Sequence, residues 1–245
     1  KLLPKTNCKE CKYPTCLAFA MALASGKAEL DACVYVTPEA RAELSDASAP
    51  PIRQVTIGTG DYEVKIGGET VMFRHEKTFF NKPGFAVLIT DAMGDEEVDG
   101  RFHRIGEYRY ERIGLILRHE LVALKHTGNK ERFLALVRRA CTEPYSIILM
   151  AYDHTVMQEA LEIAKVKKPL IYAATKDNYE RFGILSKASG CPLAVKGEGM
   201  EETAALAEKL TATGLKDLVL DTSTRAVGAG FQEQVGIRRA ALMGK

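Results

Sequence analysis

From residue 85 onward, short apolar runs alternate with longer stretches in which apolar residues recur every three or four positions. The runs are Phe85–Thr90, Ile113–Leu117, Ser146–Met150, Leu170–Ala173, Leu193–Val195 and Leu218–Leu220. They are apolar without a break, which marks strands buried on both faces. The stretches between them include Lys130 to Cys141, Val156 to Ala164, Asp177 to Ala188, Met200 to Thr211 and Gln232 to Met243, each with a helical period. Strict alternation of strand and helix predicts a parallel sheet, either closed as a barrel or open and doubly wound. About six such units are present, and a complete barrel needs eight. No Gly-x-Gly-x-x-Gly turn follows the first run, which weakens the dinucleotide-binding form of the open sheet. The pattern therefore predicts an α/β fold: a TIM-type (β/α)8 barrel, incomplete in this chain.

Before residue 85 the rhythm is different. The Ala49-Pro50-Pro51 stretch divides the sequence into two expected domains, 1–50 and 51–245. After it, Val55-Thr56-Ile57 reads as a strand. Tyr62 to Ile66 and Thr70 to Phe73 then read as a hairpin around Gly67-Gly68, a pair suited to a turn with positive φ. In the first region, Thr37 as N-cap and Pro38 in the first helical position open a helix through Glu39, Ala40, Ala42 and Leu44. A second helix begins at Cys16, capped by Thr15. It is apolar nearly all round, with Leu17, Ala20, Met21 and Ala24 on one side and Phe19 and Leu23 on another. A helix without a polar face is buried on several sides. Some thirty residues cannot supply that cover, so the module is expected to dock on another domain or subunit.

Composition narrows the classes. The 34 basic and 32 acidic residues are spread along the chain and leave a net charge of +2. No basic stripe suggests nucleic acid. The apolar runs are too short to span a bilayer, and the first residues contain no apolar segment of the kind a signal peptide needs. The sequence does not begin with Met, so it is expected to start inside a longer chain.

The cysteines change the picture most. Four lie in the pattern Cys8-x2-Cys11-x4-Cys16-x16-Cys33, while Cys141 and Cys191 sit alone in apolar surroundings. A secreted disulfide scaffold spreads its cysteines through a small chain. A tight group points instead to a metal site in a reducing cytoplasm. Three thiolates so close together can wrap one side of a cubane cluster, with the helix from Cys16 directing its positive end at the bound charge. The competing occupant is zinc. Structural zinc usually takes two Cys-x2-Cys knuckles, and here there is one, so the spacing favours a 4Fe-4S cluster on Cys8, Cys11, Cys16 and Cys33. A thioredoxin-like redox pair is weaker, since no strand precedes the knuckle.

Other polar residues fit simpler roles. Asp91, Asp153 and Asp221 each follow an expected strand, where barrel enzymes keep catalytic groups, but also where Asp caps helices; the cap reading is favoured. Thr175 is likewise expected to cap. His75, His103, His119, His126 and His154 are scattered, and no Asp-x-His-x-x-Gly corrinoid motif occurs. Cys141 and Cys191 are expected to be buried thiols. No catalytic residue is assigned.

The stretch Lys-Leu-Leu-Pro-Lys-Thr-Asn-Cys-Lys-Glu-Cys-Lys-Tyr-Pro-Thr-Cys-Leu-Ala-Phe-Ala-Met, residues 1 to 21, resembles the N-terminal cluster motif of one family: the large (gamma) subunit of the corrinoid iron–sulfur protein and of the acetyl-CoA decarbonylase/synthase complex. The similarity continues at Ala49-Pro50-Pro51-Ile52, Phe73-Arg74-His75-Glu76, Lys168-Pro169-Leu170-Ile171-Tyr172-Ala173-Ala174-Thr175, Cys191-Pro192-Leu193-Ala194-Val195 and Leu218-Val219-Leu220-Asp221. Many members carry glycine after the first and second cysteines, where this chain has Lys9 and Lys12. The ligand positions are unchanged, and the question falls on the loop's backbone and charge. Members also continue past residue 245 to complete the barrel and add a C-terminal corrinoid-binding domain, which is absent here.

The resemblance implies a methyl-carrier subunit of the reductive acetyl-CoA (Wood–Ljungdahl) pathway. In it the 4Fe-4S cluster transfers an electron that reactivates Co(II) corrinoid to Co(I). The corrinoid carries a methyl group from methyl-tetrahydropterin or methyltetrahydrofolate to acetyl-CoA synthase. The implied partners are the small subunit of the corrinoid iron–sulfur protein in a heterodimer, a pterin methyltransferase, and acetyl-CoA synthase/CO dehydrogenase. Two readings from other classes compete: a free-standing barrel methyltransferase that uses a pterin, and a plain electron-transfer iron–sulfur protein.

Overall fold

The computed structural model describes residues 2–24, 28, 30–41, 44, 51–72 and 81–243. The chain forms two compact units, Lys1–Pro50 and Pro51–Lys245. In the first, helix α1 (Cys16–Ala24) is followed by a short 3-10 turn, Leu30–Ala32, and by helical residues at 38–41 and 44. Thr15 Oγ1 accepts from Ala18 N–H (3.0 Å) and Thr37 Oγ1 from Ala40 N–H (3.2 Å), so both expected caps form. Phe19, Cys33, Val36 and Ala40 make a small buried cluster, against which Cys11, Tyr13 and Leu23 pack. Its own unit covers α1 only in part, as the unit's small size implies. Phe19 and Ala22 are buried, whereas Leu17 and Met21 are 72% and 68% exposed.

The second unit is built on a parallel sheet of six strands: β3 (Ala86–Thr90), β6 (Leu121–Lys125), β7 (Ser146–Met150), β8 (Leu170–Ala174), β9 (Leu193–Lys196) and β10 (Leu218–Asp221). Spatial order follows chain order, β3-β6-β7-β8-β9-β10. A doubly wound sheet reverses direction at a switch point; this one does not. Helices α2 (Asp95–Glu107), α3 (Lys130–Thr142), α4 (His154–Ala164), α5 (Tyr179–Ser189) and α6 (Met200–Ala212) connect the strands, and α7 (Val227–Leu242) follows the last. Their apolar faces join one side of the sheet in a single core, with Phe102, Phe133, Met157, Phe182 and Leu210 packed over residues such as Ile89, Leu124, Leu149, Ile171 and Val195.

The other side carries Leu121, Leu170, Ala173 and Ala194, covered by Ile57 and Val64. Those two residues come from an antiparallel ribbon, β1 (Val55–Ile57) paired with β2 (Val64–Ile66). Ser146 Oγ fastens the ribbon to the sheet by donating to Tyr62 O (2.6 Å). Gly58 makes this contact possible: its φ is +85°, and a Cβ there would lie 1.7 Å from Ser146 Oγ.

Three expectations need correction. The hairpin does not turn at Gly67-Gly68; both have positive φ, but Gly68 N–H closes back on Ile52 O after the ribbon has ended. Thr70 to Met72 form no strand, and residues 73–80 lie outside the described residues. Ile113–Leu117 is not a sheet strand. It spans the turn of an exposed hairpin, β4 (Tyr110–Arg112) with β5 (Leu115–Leu117), joined by Ile113-Gly114 with φ of +50° and +72°. The second parallel strand is instead Leu121–Lys125, whose Leu-Val-Ala-Leu-Lys reads more readily as helix. Helix α2 has too few apolar residues for its period to stand out in the sequence. Its only buried residues are Val98, Phe102 and Ile105, on an otherwise polar segment.

Candidate functional site

The four clustered cysteines all belong to the first unit and all are free thiols. Cys8 is exposed, Cys11 and Cys16 are partly buried, and Cys33 is buried. Among the described residues, no three Cys, His, Asp or Glu side chains close on one point as a metal-holding group would. The segments that carry the cysteines are nonetheless tied together. Asn7 Oδ1 accepts from Cys16 N–H at 2.8 Å, joining the residue before Cys8 to the start of α1. Tyr35 donates its hydroxyl to Glu10 Oε1 at 2.9 Å, joining the Cys33 segment to the Cys8–Cys11 loop. That hydrogen bond and the Glu10 charge raise the Tyr35 pKa. Cys11 and Cys33 share the hydrophobic cluster around Phe19.

The loop backbone is the feature that suits a cluster. Lys5, Asn7, Lys9 and Lys12 have φ of +57°, +50°, +64° and +66°. Left-handed residues within a short loop turn backbone N–H groups into a concavity, the nest that cradles anions and iron–sulfur centres. Lys9 and Lys12 hold a left-handed backbone that glycine would adopt freely, at a cost of about 1 kcal/mol each. The donor set fits as well. Four thiols and a capped helix N-terminus beginning at Cys16 make a soft, electropositive setting. Asn7, Glu10 and Tyr35 carry no motif signal; only their placement beside the cysteines could have drawn attention to them.

In the second unit, the carboxylates after the strands behave differently from one another. Asp153 is the N-cap of α4, accepting from Thr155 N–H (2.7 Å) and Val156 N–H (3.3 Å). Asp91 is not a cap for its own helix, which begins after Gly94. It is buried, and it accepts from the Thr127 hydroxyl and from Thr127, Gly128 and Asn129 N–H, with His126 Nδ1 at 2.9 Å. Burial pushes its pKa up, but those hydrogen bonds outweigh it and bring the carboxyl to about 2. Asp221 accepts from Tyr172 OH (2.6 Å), from Ser223 N–H and from both Arg225 amino groups. Burial is again the opposing cause; Arg225, Tyr172 and Ser223 hold its pKa at about 2, and the Tyr172 pKa rises. Thr175 makes no side-chain cap, and Asn178 occupies the N-cap position of α5. Cys191 is buried as expected, whereas Cys141 is only partly buried; desolvation raises the pKa of both thiols.

Residues 54–245 match the family described as "CO dehydrogenase/acetyl-CoA synthase delta subunit". The chain belongs to that family. Residues 3–35 match a second one, described as "Putative Fe-S cluster", which spans all four clustered cysteines. Among curated relatives of this family member, the corrinoid/iron-sulfur protein large subunit of Moorella thermoacetica is 42% identical over 99% of the chain and 55% of the relative. The acetyl-CoA decarbonylase/synthase complex subunit gamma 2 of Methanosarcina thermophila is 36% identical over 100% of the chain and 54% of its own length. The gamma subunit of Methanothermobacter thermautotrophicus is 34% identical over 99% and 54%. The chain thus spans about half the length of the curated relatives it matches. Among the described residues, no helix is long and apolar enough to cross a membrane.

Proposed function

We propose that this chain is the electron-relay and barrel portion of a corrinoid methyl carrier that serves acetyl-CoA synthesis. In this reading residues 1–50 are a cluster domain, with Cys8, Cys11, Cys16 and Cys33 as ligands of one 4Fe-4S centre. Residues 51–245 supply six units of a (β/α)8 barrel, and the corrinoid is held by a C-terminal domain elsewhere in the full-length protein. The observation that carries the proposal is the left-handed loop through Lys5, Asn7, Lys9 and Lys12, wound around Cys8 and Cys11 in the conformation that nests are made from. The relatives' names supply the methyl-carrier context.

When bound, a 4Fe-4S centre supplies one-electron transfer without proton movement, and thiolate ligation keeps its potential low. This chain's residues do the rest. Four thiols, deprotonated, ligate. Phe19, Val36 and Ala40 shield the Cys33 side from water, and the Asn7 and Tyr35 hydrogen bonds fix the ligand-bearing segments. A centre held by these four cysteines would supply the single electron that returns a corrinoid from Co(II) to methyl-accepting Co(I). The partners in this reading are the small subunit of the corrinoid protein, a methyl-pterin methyltransferase and acetyl-CoA synthase, in the cytoplasm.

The test uses full-length protein loaded with corrinoid. In Cys16→Ser, reduction of the corrinoid cobalt by a protein electron donor is expected to slow about tenfold or more, with corrinoid content unchanged. An undiminished rate would overturn the relay.

A further inference from the structure

Among the described residues seven non-glycine residues have a left-handed backbone, and three of them are lysines set around Cys8 and Cys11: Lys5, Lys9 and Lys12. Glycine or asparagine would adopt that conformation at less cost. All three lysines are exposed, and none takes part in a salt bridge among the described residues. One acid, Glu10, lies within the loop and accepts the Tyr35 hydroxyl, so the three lysines leave the loop net positive; Asp31 pairs with Arg41. Cys8, the most exposed of the four, lies between these charges in sequence, while Cys33 is buried in the apolar cluster around Phe19. Val34 and Tyr35, brought beside the loop by the Glu10 hydrogen bond, are 65% and 50% exposed. Leu17, next to Cys16, is 72% exposed.

A strained residue retained where a less strained one would fit points to what its side chain does. Here that is charge: a small, positive, partly apolar surface at the solvent-facing side of the cysteine group. The geometry points to Lys5, Lys9 and Lys12 as the docking surface for an acidic one-electron carrier protein, received on the Cys8 side. This rests on the cluster reading above and adds where the electron enters. One electron leaves the carrier, which is oxidised by one equivalent, and the centre on the cysteines is reduced by one; no bond forms and no proton moves. Such encounters are small, weak and steered by charge, so salt should govern them.

The test titrates the full chain with an acidic ferredoxin at about 10 mM and about 0.15 M salt, and follows reduction by the same ferredoxin and by the methyl viologen radical cation. In the triple variant Lys5→Gly, Lys9→Gly, Lys12→Gly, ferredoxin binding at low salt is expected to weaken about tenfold and its salt dependence to flatten. Reduction by the cationic viologen should be unchanged or faster. The triple Gln variant keeps the left-handed strain and removes only charge, and should lose binding equally. Equal binding and salt dependence in all three proteins would overturn the inference. So would loss of binding in the Gly variant alone, which would assign the effect to the backbone. Metal analysis of the wild type reads the cluster proposal separately: iron-replete protein that binds ferredoxin equally in all three forms overturns the role of the lysines and leaves the cluster standing.

Discussion

The two units of this chain obtain their structure from different sources. The sheet unit has a continuous core: the largest side chains of five helices reach zero or near-zero exposure over one face of six parallel strands. Among its described residues the cysteine unit has five buried apolar residues, one of them Cys33, and a loop with four left-handed residues within its first twelve. Burial alone sustains the first. A region as small as the second usually needs a metal or other staple. The contrast teaches that conformational cost and chemistry concentrate in the same short segment, while the sheet provides a stable body.

The comparison is broken most severely by removing a ligand. Cys33→Ser, or exhaustive chelation, is expected to strip most of the iron and melt the cysteine unit, because metal binding and folding are coupled there. The sheet unit should keep its far-UV circular dichroism. Simultaneous loss of both would mean that the units are not independent in stability. The reverse experiment is Phe133→Ala, which empties the core beneath α3, where the ring is fully buried. Urea denaturation should show a loss of about 3–5 kcal/mol in the sheet unit, with iron per chain unchanged.

Acid gives a third, smaller effect. Asp91 is held at about 2 in the fold, below its ordinary value of 3.8, and its side chain is fully buried. Its stabilising contribution is therefore present above pH ~4 and is lost as pH falls toward ~2, amounting to about 2 kcal/mol. Asp91→Asn should remove that part of the acid dependence; a wild-type stability that stays flat across this window would contradict it. Smallest is the backbone effect: Lys9→Gly should stabilise the cysteine unit by about 0.5–1 kcal/mol, read as a higher melting point in its own transition.

Much of this was legible in the sequence, for reasons that can be named. Unbroken runs such as Ser146–Met150 and Leu170–Ala173 announce strands with both faces covered, and the structure covers them, whereas the edge strands β3 and β10 are only partly buried. Ile113–Leu117 misleads because apolarity alone does not distinguish a buried strand from an exposed hairpin; the decisive residue is Gly114, whose positive φ makes a turn. Leu121–Lys125 is hidden by good helix formers that tertiary packing overrides. Among the acids, Asp153 caps as its position suggests. Asp91 and Asp221 are committed across the sheet to Thr127 and Tyr172, and no local pattern encodes such pairings. The four cysteines stand out by spacing, but Asn7, Glu10 and Tyr35 emerge only once the chain is folded.

The central claim is that four thiols of one small unit share a single iron–sulfur centre. Anaerobically prepared protein, assayed for iron and acid-labile sulfide and then reduced for electron paramagnetic resonance, should contain about four of each per chain and give the signal of a one-electron-reduced cubane. Tetrahedral zinc in place of iron, or thiols that remain metal-free under those conditions, would contradict the account.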